Sequence, residues 1–175
     1  LTLYGELGWD DTTGTLPTGI ILPDKPGGIA GFLLAGLFGD PKLDLRFEYA
    51  QTSNIQFTHF PIFTSGFTNR GSVLSHFIGT EGSEIYTRVS RWINQDLLLA
   101  FQISSAEIGS TDHSLLASPR EERNSFGFDL SYRFSDRSSV FMGYDFARVK
   151  NRNFRVGRSG VDNLFGIEFT RSFGQ

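Results

Sequence analysis

The stretch Leu43-Asp44-Leu45-Arg46-Phe47-Glu48-Tyr49 alternates without a fault between apolar odd positions and charged even ones. Successive side chains of a β-strand point to opposite sides, so these residues predict a ribbon with one apolar and one charged face. The alternation returns at Phe126, Phe128, Leu130, Tyr132 and Phe134, set against Gly127, Asp129, Ser131 and Arg133. A soluble sandwich would bury such apolar faces in a shared core, so alternation by itself leaves the class open. The aromatic weight of the chain and the rhythm of its connections favour a different solvent for the apolar face.

Eight stretches read as strands: Leu1 to Trp9, Ile29 to Phe38, Leu43 to Ala50, Glu84 to Ile93, Leu97 to Ser105, Ser125 to Phe134, Ser139 to Val149 and Val161 to Phe173. Each has about the 9 to 11 residues with which a tilted strand crosses hydrocarbon. Asp40-Pro41-Lys42, Asn94-Gln95-Asp96 and Ser135-Asp136-Arg137-Ser138 are rich in turn formers. The other connections, Asp10 to Gly28, Thr52 to Ser83, Ala106 to Asn124 and Lys150 to Gly160, are long. Short and long alternate along the chain, as periplasmic turns and extracellular loops do in outer-membrane barrels. The expected fold is an all-β antiparallel transmembrane β-barrel, about eight strands here, either complete or part of a larger barrel. Both termini would then be periplasmic.

Composition fits that expectation. The chain has 175 residues, 18 of them Phe and 20 Gly, with a formal net charge of −3. Phe suits lipid-facing strand positions, and Gly suits tight turns and crowded barrel walls. The longest apolar run, Ile29 to Phe38, is too short for a spanning helix and is broken by Gly31 and Gly36. There is no cysteine, so neither a disulfide frame nor a thiolate nucleophile or ligand is available. Neither the charge nor any basic helix points to nucleic acid. Nothing in the sequence calls for a cofactor.

Exceptions to the pattern are explicable. Arg91 and Arg171 fall on apolar faces, but near turns, where an arginine snorkels at a cost of about 0 to 1 kcal/mol. By strand parity the charged face carries Glu6, Asp44, Glu48, Glu84, Asp129, Asp145 and Glu168 against Arg46, Arg88 and Arg133. A small closed barrel is filled by its side chains, and unpaired carboxylates there cost several kcal/mol each. The acidic excess therefore favours a wet lumen or a fragment of a larger barrel.

The most distinctive loop text is Gly66-Phe67-Thr68-Asn69-Arg70-Gly71-Ser72-Val73-Leu74-Ser75-His76-Phe77-Ile78-Gly79. With the preceding Leu45-Arg46-Phe47-Glu48-Tyr49-Ala50, it resembles Wzi-type capsule assembly proteins. In that family a strand of the LRxEYA kind is followed by aromatic-Thr-x-Arg-Gly, an apolar pair and a Gly-His-x-x-Gly-like step. Ser75 stands here where the family usually has Gly. The resemblance spans about Gly28 to Ile108. It implies an outer-membrane barrel that binds capsular polysaccharide at the bacterial surface and has no catalytic role. The family barrel is larger and carries a periplasmic helical part, so this chain would supply its C-terminal portion.

Two constellations point to a ligand. Lys150, Arg152, Arg155 and Arg158 surround Phe154 in the last long connection, with Arg148 just before. Such cations can grip carboxylates or phosphates of an anionic surface polysaccharide, the arginines bidentately. They can equally pair with lipopolysaccharide phosphates or with acids on neighbouring loops. Arg70 and His76 would either touch sugar at the barrel mouth or belong to a loop that folds inward as a plug. The expected surroundings are outer-membrane lipid and lipopolysaccharide. A porin-like barrel without a specific ligand and a surface hydrolase are the alternatives. For the latter, Ser75-His76 and Asp112-His113-Ser114 are weak signals, because neighbours in sequence point different ways on a strand. Asp10-Asp11-Thr12-Thr13-Gly14 lacks regular calcium-ligand spacing and reads as a solvated turn.

Overall fold

Alternation of period two runs through the chain, and in the computed structural model it produces one eight-stranded antiparallel sheet. The structure describes residues 1–8, 11–15, 21–24, 27–52, 68–69, 72–73, 77–79, 81–109 and 119–172, with backbone only for 11–15, 21–24, 68–69 and 72–73. The strands of the sheet are β1 (Thr2–Gly8), β4 (Gly27–Ala35), β5 (Leu43–Gln51), β8 (Ser83–Trp92), β9 (Leu97–Ile108), β10 (Glu121–Ser135), β11 (Ser138–Lys150) and β12 (Gly160–Arg171), paired in that order. Between them lie two small hairpins, β2 (Asp11–Thr15) with β3 (Ile21–Asp24) and β6 (Thr68–Asn69) with β7 (Ser72–Val73). Every predicted strand is present. The sheet is not closed: β1 and β12 each pair on one side only, as in a segment cut from a barrel wall.

The end of β4 differs from expectation. The strand stops at Ala35 instead of continuing to Phe38, because Gly36 (φ 74°), Phe38 (φ 55°) and Gly39 (φ 80°) adopt left-handed conformations. Glycine enters that region without a Cβ clash, so the pair of glycines turns the chain. Phe38 is carried outward and is 93% exposed. The other end of the chain also shortens, β12 ending at Arg171.

The distribution of residues between the two faces is inverted relative to a soluble protein. On β9, which has neighbours on both sides, Ala100 is 1% exposed and Ala106 4%, whereas Phe101 is 51% exposed and Ile103 58%. The polar face buries Glu84 and Asp129, and the opposite face leaves Phe126, Tyr144, Phe146, Phe165, Ile167 and Phe169 exposed. Soluble monomers rarely expose so large a contiguous apolar patch. Rings on this face stack across strands, Phe32 on Phe47 at 5.4 Å and Phe101 near Phe128 at 5.2 Å. Near the short turns Tyr132, Phe134 and Phe169 make an aromatic row, with Tyr132 and Phe134 edge to face at 4.8 Å and Phe134 and Phe169 6.5 Å apart.

Of the two arginines on apolar faces near short turns, Arg91 can now be placed, and Arg133 of the charged face joins it at the same rim. Arg91 reaches Asp40 of the adjacent turn at 3.0 Å. Arg133, at the end of β10, donates to Asp96 at 3.1 Å and to the Gln95 carbonyl at 2.9 Å. Charge at this rim is therefore matched between a strand end and the neighbouring turn.

Candidate functional site

The polar face is organised by side chains long enough to cross a neighbouring strand. Tyr4, Gly31 and Glu48 are in register across β1, β4 and β5, and the Tyr4 hydroxyl donates over Gly31 to Glu48 Oε1 at 2.7 Å. A Cβ on Gly31 would lie 2.8 Å from the Tyr4 ring and hydroxyl oxygen, so only glycine leaves room for this crossing. Arg46 joins the pair through Nη2 to Glu48 at 2.6 Å and Nε to the Tyr4 hydroxyl at 3.2 Å, and lies 5.9 Å from the Tyr86 ring centre. The device repeats farther along. Gln102, Gly127 and Asp145 share a row of β9, β10 and β11, and Gln102 Nε2 donates across Gly127 to Asp145 Oδ1 at 3.0 Å. A Cβ on Gly127 would sit 2.3 Å from that carboxylate oxygen.

Arg88 connects these parts. Its Nη1 donates to Gln102 Oε1 at 2.8 Å and forms an ion pair with Asp129, two strands away across β9. The Tyr86 hydroxyl donates to the same Gln102 oxygen at 2.9 Å. At the opposite end of the face, Asp162 of β12 accepts from Arg123 at 3.1 Å and from Arg152 at 2.5 Å. Sequence reading missed Arg123, because β10 starts at Glu121, four residues before the predicted Ser125; running the same odd parity back reaches it. Arg123 and Asp162 add one charge of each sign to the polar face, and Glu121, at the same parity of β10, adds another acid. Gln102 was missed because it is uncharged.

Toward the long connections the polar face becomes apolar. Ile78, wholly buried, packs with Ala50 and Ala106, and Ile29 and Ile108 complete the cluster. Thr52 fastens this segment: its Oγ1 donates to the Gly79 carbonyl at 2.6 Å and accepts from the Gly82 amide at 2.9 Å, while Gly109 N donates to the Ile78 carbonyl at 2.9 Å. The far end of the connection between β5 and β8 thus folds over the polar face. Arg70 and His76 lie outside the described residues, as do His59, His113 and Asp10. Thr52→Val leaves two buried groups without their partner and is expected to cost about 1–3 kcal/mol. Hydrogen exchange at the Gly82 amide should accelerate in that variant, and unchanged protection would mean that Thr52 does not hold the segment.

The basic connection after β11 is a tight, heavily bonded turn. Arg152 N donates to the Arg158 carbonyl at 2.8 Å, Arg155 N to the Asn151 carbonyl at 3.2 Å, and Gly157 N to Asn151 Oδ1 at 3.3 Å. It is also tied to β10: Asn151 Nδ2 donates to the Arg120 carbonyl at 3.1 Å and Asn153 N to Glu121 Oε2 at 2.9 Å. Asn151, Asn153 and Phe154 have φ of 52°, 55° and 60°. Asn tolerates that region, but Phe does so only when its surroundings impose it.

Within this turn the cations separate. Lys150 pairs with Glu122 at 2.6 Å and Arg152 with Asp162, so these two match the alternative in which basic residues neutralise neighbouring acids. Arg155 and Arg158 are exposed, and among the described residues neither has an acid within ion-pairing distance. Arg148 is separate again, projecting from β11 on the apolar face. The arrangement thus offers two guanidinium groups on a rigid turn at the long-connection end of the sheet, chemistry suited to carboxylates or phosphates.

Neither any curated protein nor any solved structure matches the chain. A family model described as Capsule assembly protein Wzi matches residues 1–163, well beyond the Gly28 to Ile108 span that carries the resemblance. The inverted sheet and the family match agree, and the chain belongs to the Wzi family of capsule assembly proteins.

Proposed function

We propose that this chain is part of an outer-membrane barrel wall that binds capsular or other anionic surface polysaccharide and supports capsule attachment, without catalysis. The reading rests on Arg155 and Arg158: two cations without acidic partners among the described residues, held on a locked turn at the end of the sheet where the long connections gather. Such preorganisation lowers the entropy cost of gripping a polymer.

The membrane assignment is supported by the exposed apolar face. Along β10 it runs from Phe126 to Phe134, about 26 Å of strand, or about 20 Å of height at a typical tilt. The side chains at its two ends extend it toward the apolar band of about 25 Å found in outer-membrane barrels. Above Phe126 the same face changes to Asn124 and Glu122, and on β9 to Ser105 and Glu107. The unpaired edges of β1 and β12 fit further strands of a larger wall, which would also supply cations to the acidic interior.

The test is the double variant Arg155→Glu/Arg158→Glu, with Arg152 left intact because it pairs with Asp162. In cells making an acidic capsule, the variant should reach the outer membrane folded while capsular polysaccharide shifts from the cell-associated fraction into the medium. Full retention by a correctly inserted variant would refute the assignment.

A further inference from the structure

At the long-connection end of the apolar face, charges collect in a narrow zone just above the last aromatic layer. There Lys150 is paired with Glu122 at 2.6 Å, and Arg120 with Glu107 at 3.1 Å and Glu81 at 3.5 Å. Arg148 is the exception. It shares the face of Tyr144 and Phe146, as shown by the burial of Ala147 and Val149 on the other side, and it is exposed. Among the described residues it has no ion-pair partner, and the nearest acid on its face, Glu122, is taken by Lys150.

Its neighbours are donors. Asn124 is in register with Arg148, and Asn163 lies one row lower, opposite Phe146. Asn124 Oδ1 accepts from the Ser105 hydroxyl at 2.9 Å, and Asn163 Oδ1 accepts from the Tyr144 hydroxyl at 2.7 Å. With both amide oxygens occupied, the two NH2 groups are left to donate. A guanidinium flanked by two amide donors thus sits at the upper border of an aromatic surface made by Phe126, Phe146 and Phe165. Below it a ligand meets hydrocarbon-like surface, and at this border it meets a guanidinium and two amide donors.

We propose that Arg148, Asn124 and Asn163 form a binding site for the phosphate headgroup of an outer-leaflet lipid, whose acyl chains lie along Phe126, Phe146 and Phe165. Guanidinium binds a phosphate bidentately, and the amides complete its coordination. The site is distinct from the Arg155 and Arg158 turn. It rests on the membrane reading above, because only an inserted sheet brings a headgroup to this height.

The test uses the protein in detergent micelles and native mass spectrometry, with a diphosphorylated lipid A as probe, its dephosphorylated counterpart as control, and inorganic phosphate as competitor. The wild-type protein should retain the phosphorylated lipid. Arg148→Ala should weaken retention about tenfold or more, and Arg148→Lys less. Asn124→Ala should weaken it to a smaller degree, and the dephosphorylated lipid should bind wild type and Arg148→Ala alike. Equal retention of phosphorylated lipid by wild type and Arg148→Ala, both shown to be folded and inserted in vesicles, would overturn the site while leaving the membrane reading intact. Displacement of the lipid by millimolar inorganic phosphate, or an Arg148→Ala defect confined to acidic polysaccharide binding, would overturn the lipid assignment. A wild-type protein that stays folded in buffer and does not enter vesicles would remove the membrane reading itself.

Discussion

Asp129→Ala is expected to cost about 3 kcal/mol, the lower end of what removing one partner of a buried ion pair costs. The lower end applies because the Arg88 side chain retains 25% of its exposure and that of Asp129 12%, so water screens part of the uncompensated charge. The loss also spreads. Arg88 shares Gln102 with Tyr86, and Gln102 spans Gly127 to Asp145, so freeing the guanidinium loosens a chain of contacts from β8 to β11. The midpoint of urea unfolding in micelles measures the effect. A double variant, Arg88→Met with Asp129→Leu, should recover much of the loss, because it removes both charges and their desolvation together. If Asp129→Ala unfolds at the wild-type midpoint, the ion pair contributes nothing and the lumen is wet enough to replace it.

Phe128→Arg tests the other face. Phe128 lies between Phe101 and Tyr144 inside the apolar stretch of β10, where an arginine facing hydrocarbon costs about 2–4 kcal/mol toward the middle of the layer. Ser131→Arg, three residues away on the polar face, should be milder. The two substitutions add the same charge to the same strand, so their difference reports the medium each side meets together with the lost contact of Phe128 with Phe101. Unfolding of both variants from lipid vesicles supplies the comparison. Equal penalties would mean that the apolar side does not face hydrocarbon, and the polysaccharide proposal would lose its setting.

The strands were legible because period-two alternation is a local property. From Leu43 to Tyr49 and Phe126 to Phe134, each residue declares its side by parity alone, and the structure keeps those assignments. Errors arose where local rules compete. At Phe38 the apolar run continues, but the glycines at 36 and 39 favour left-handed conformations and end the strand. At Arg123 the alternation weakens through Asn124 and Ser125, and the strand start was set too late. Among the candidate binding residues, the cluster of cations after β11 was visible as composition. Its division was not, since pairing depends on which acids lie on the adjoining strands: Glu122 of β10 takes Lys150 and Asp162 of β12 takes Arg152.

By itself, the sequence determined that this protein is built of amphipathic strands with one aromatic face, joined by alternating short turns and long connections. Backbone geometry translates each of those features directly, one residue at a time. Only the tertiary structure decided that Tyr4 and Gln102 reach over Gly31 and Gly127 to carboxylates two strands away, that Ile78 caps the polar face, and that Arg148 stands apart from the turn beside it. Those contacts join residues as many as 44 positions apart, and strand register, set by the whole sheet, brings them within a side chain's length.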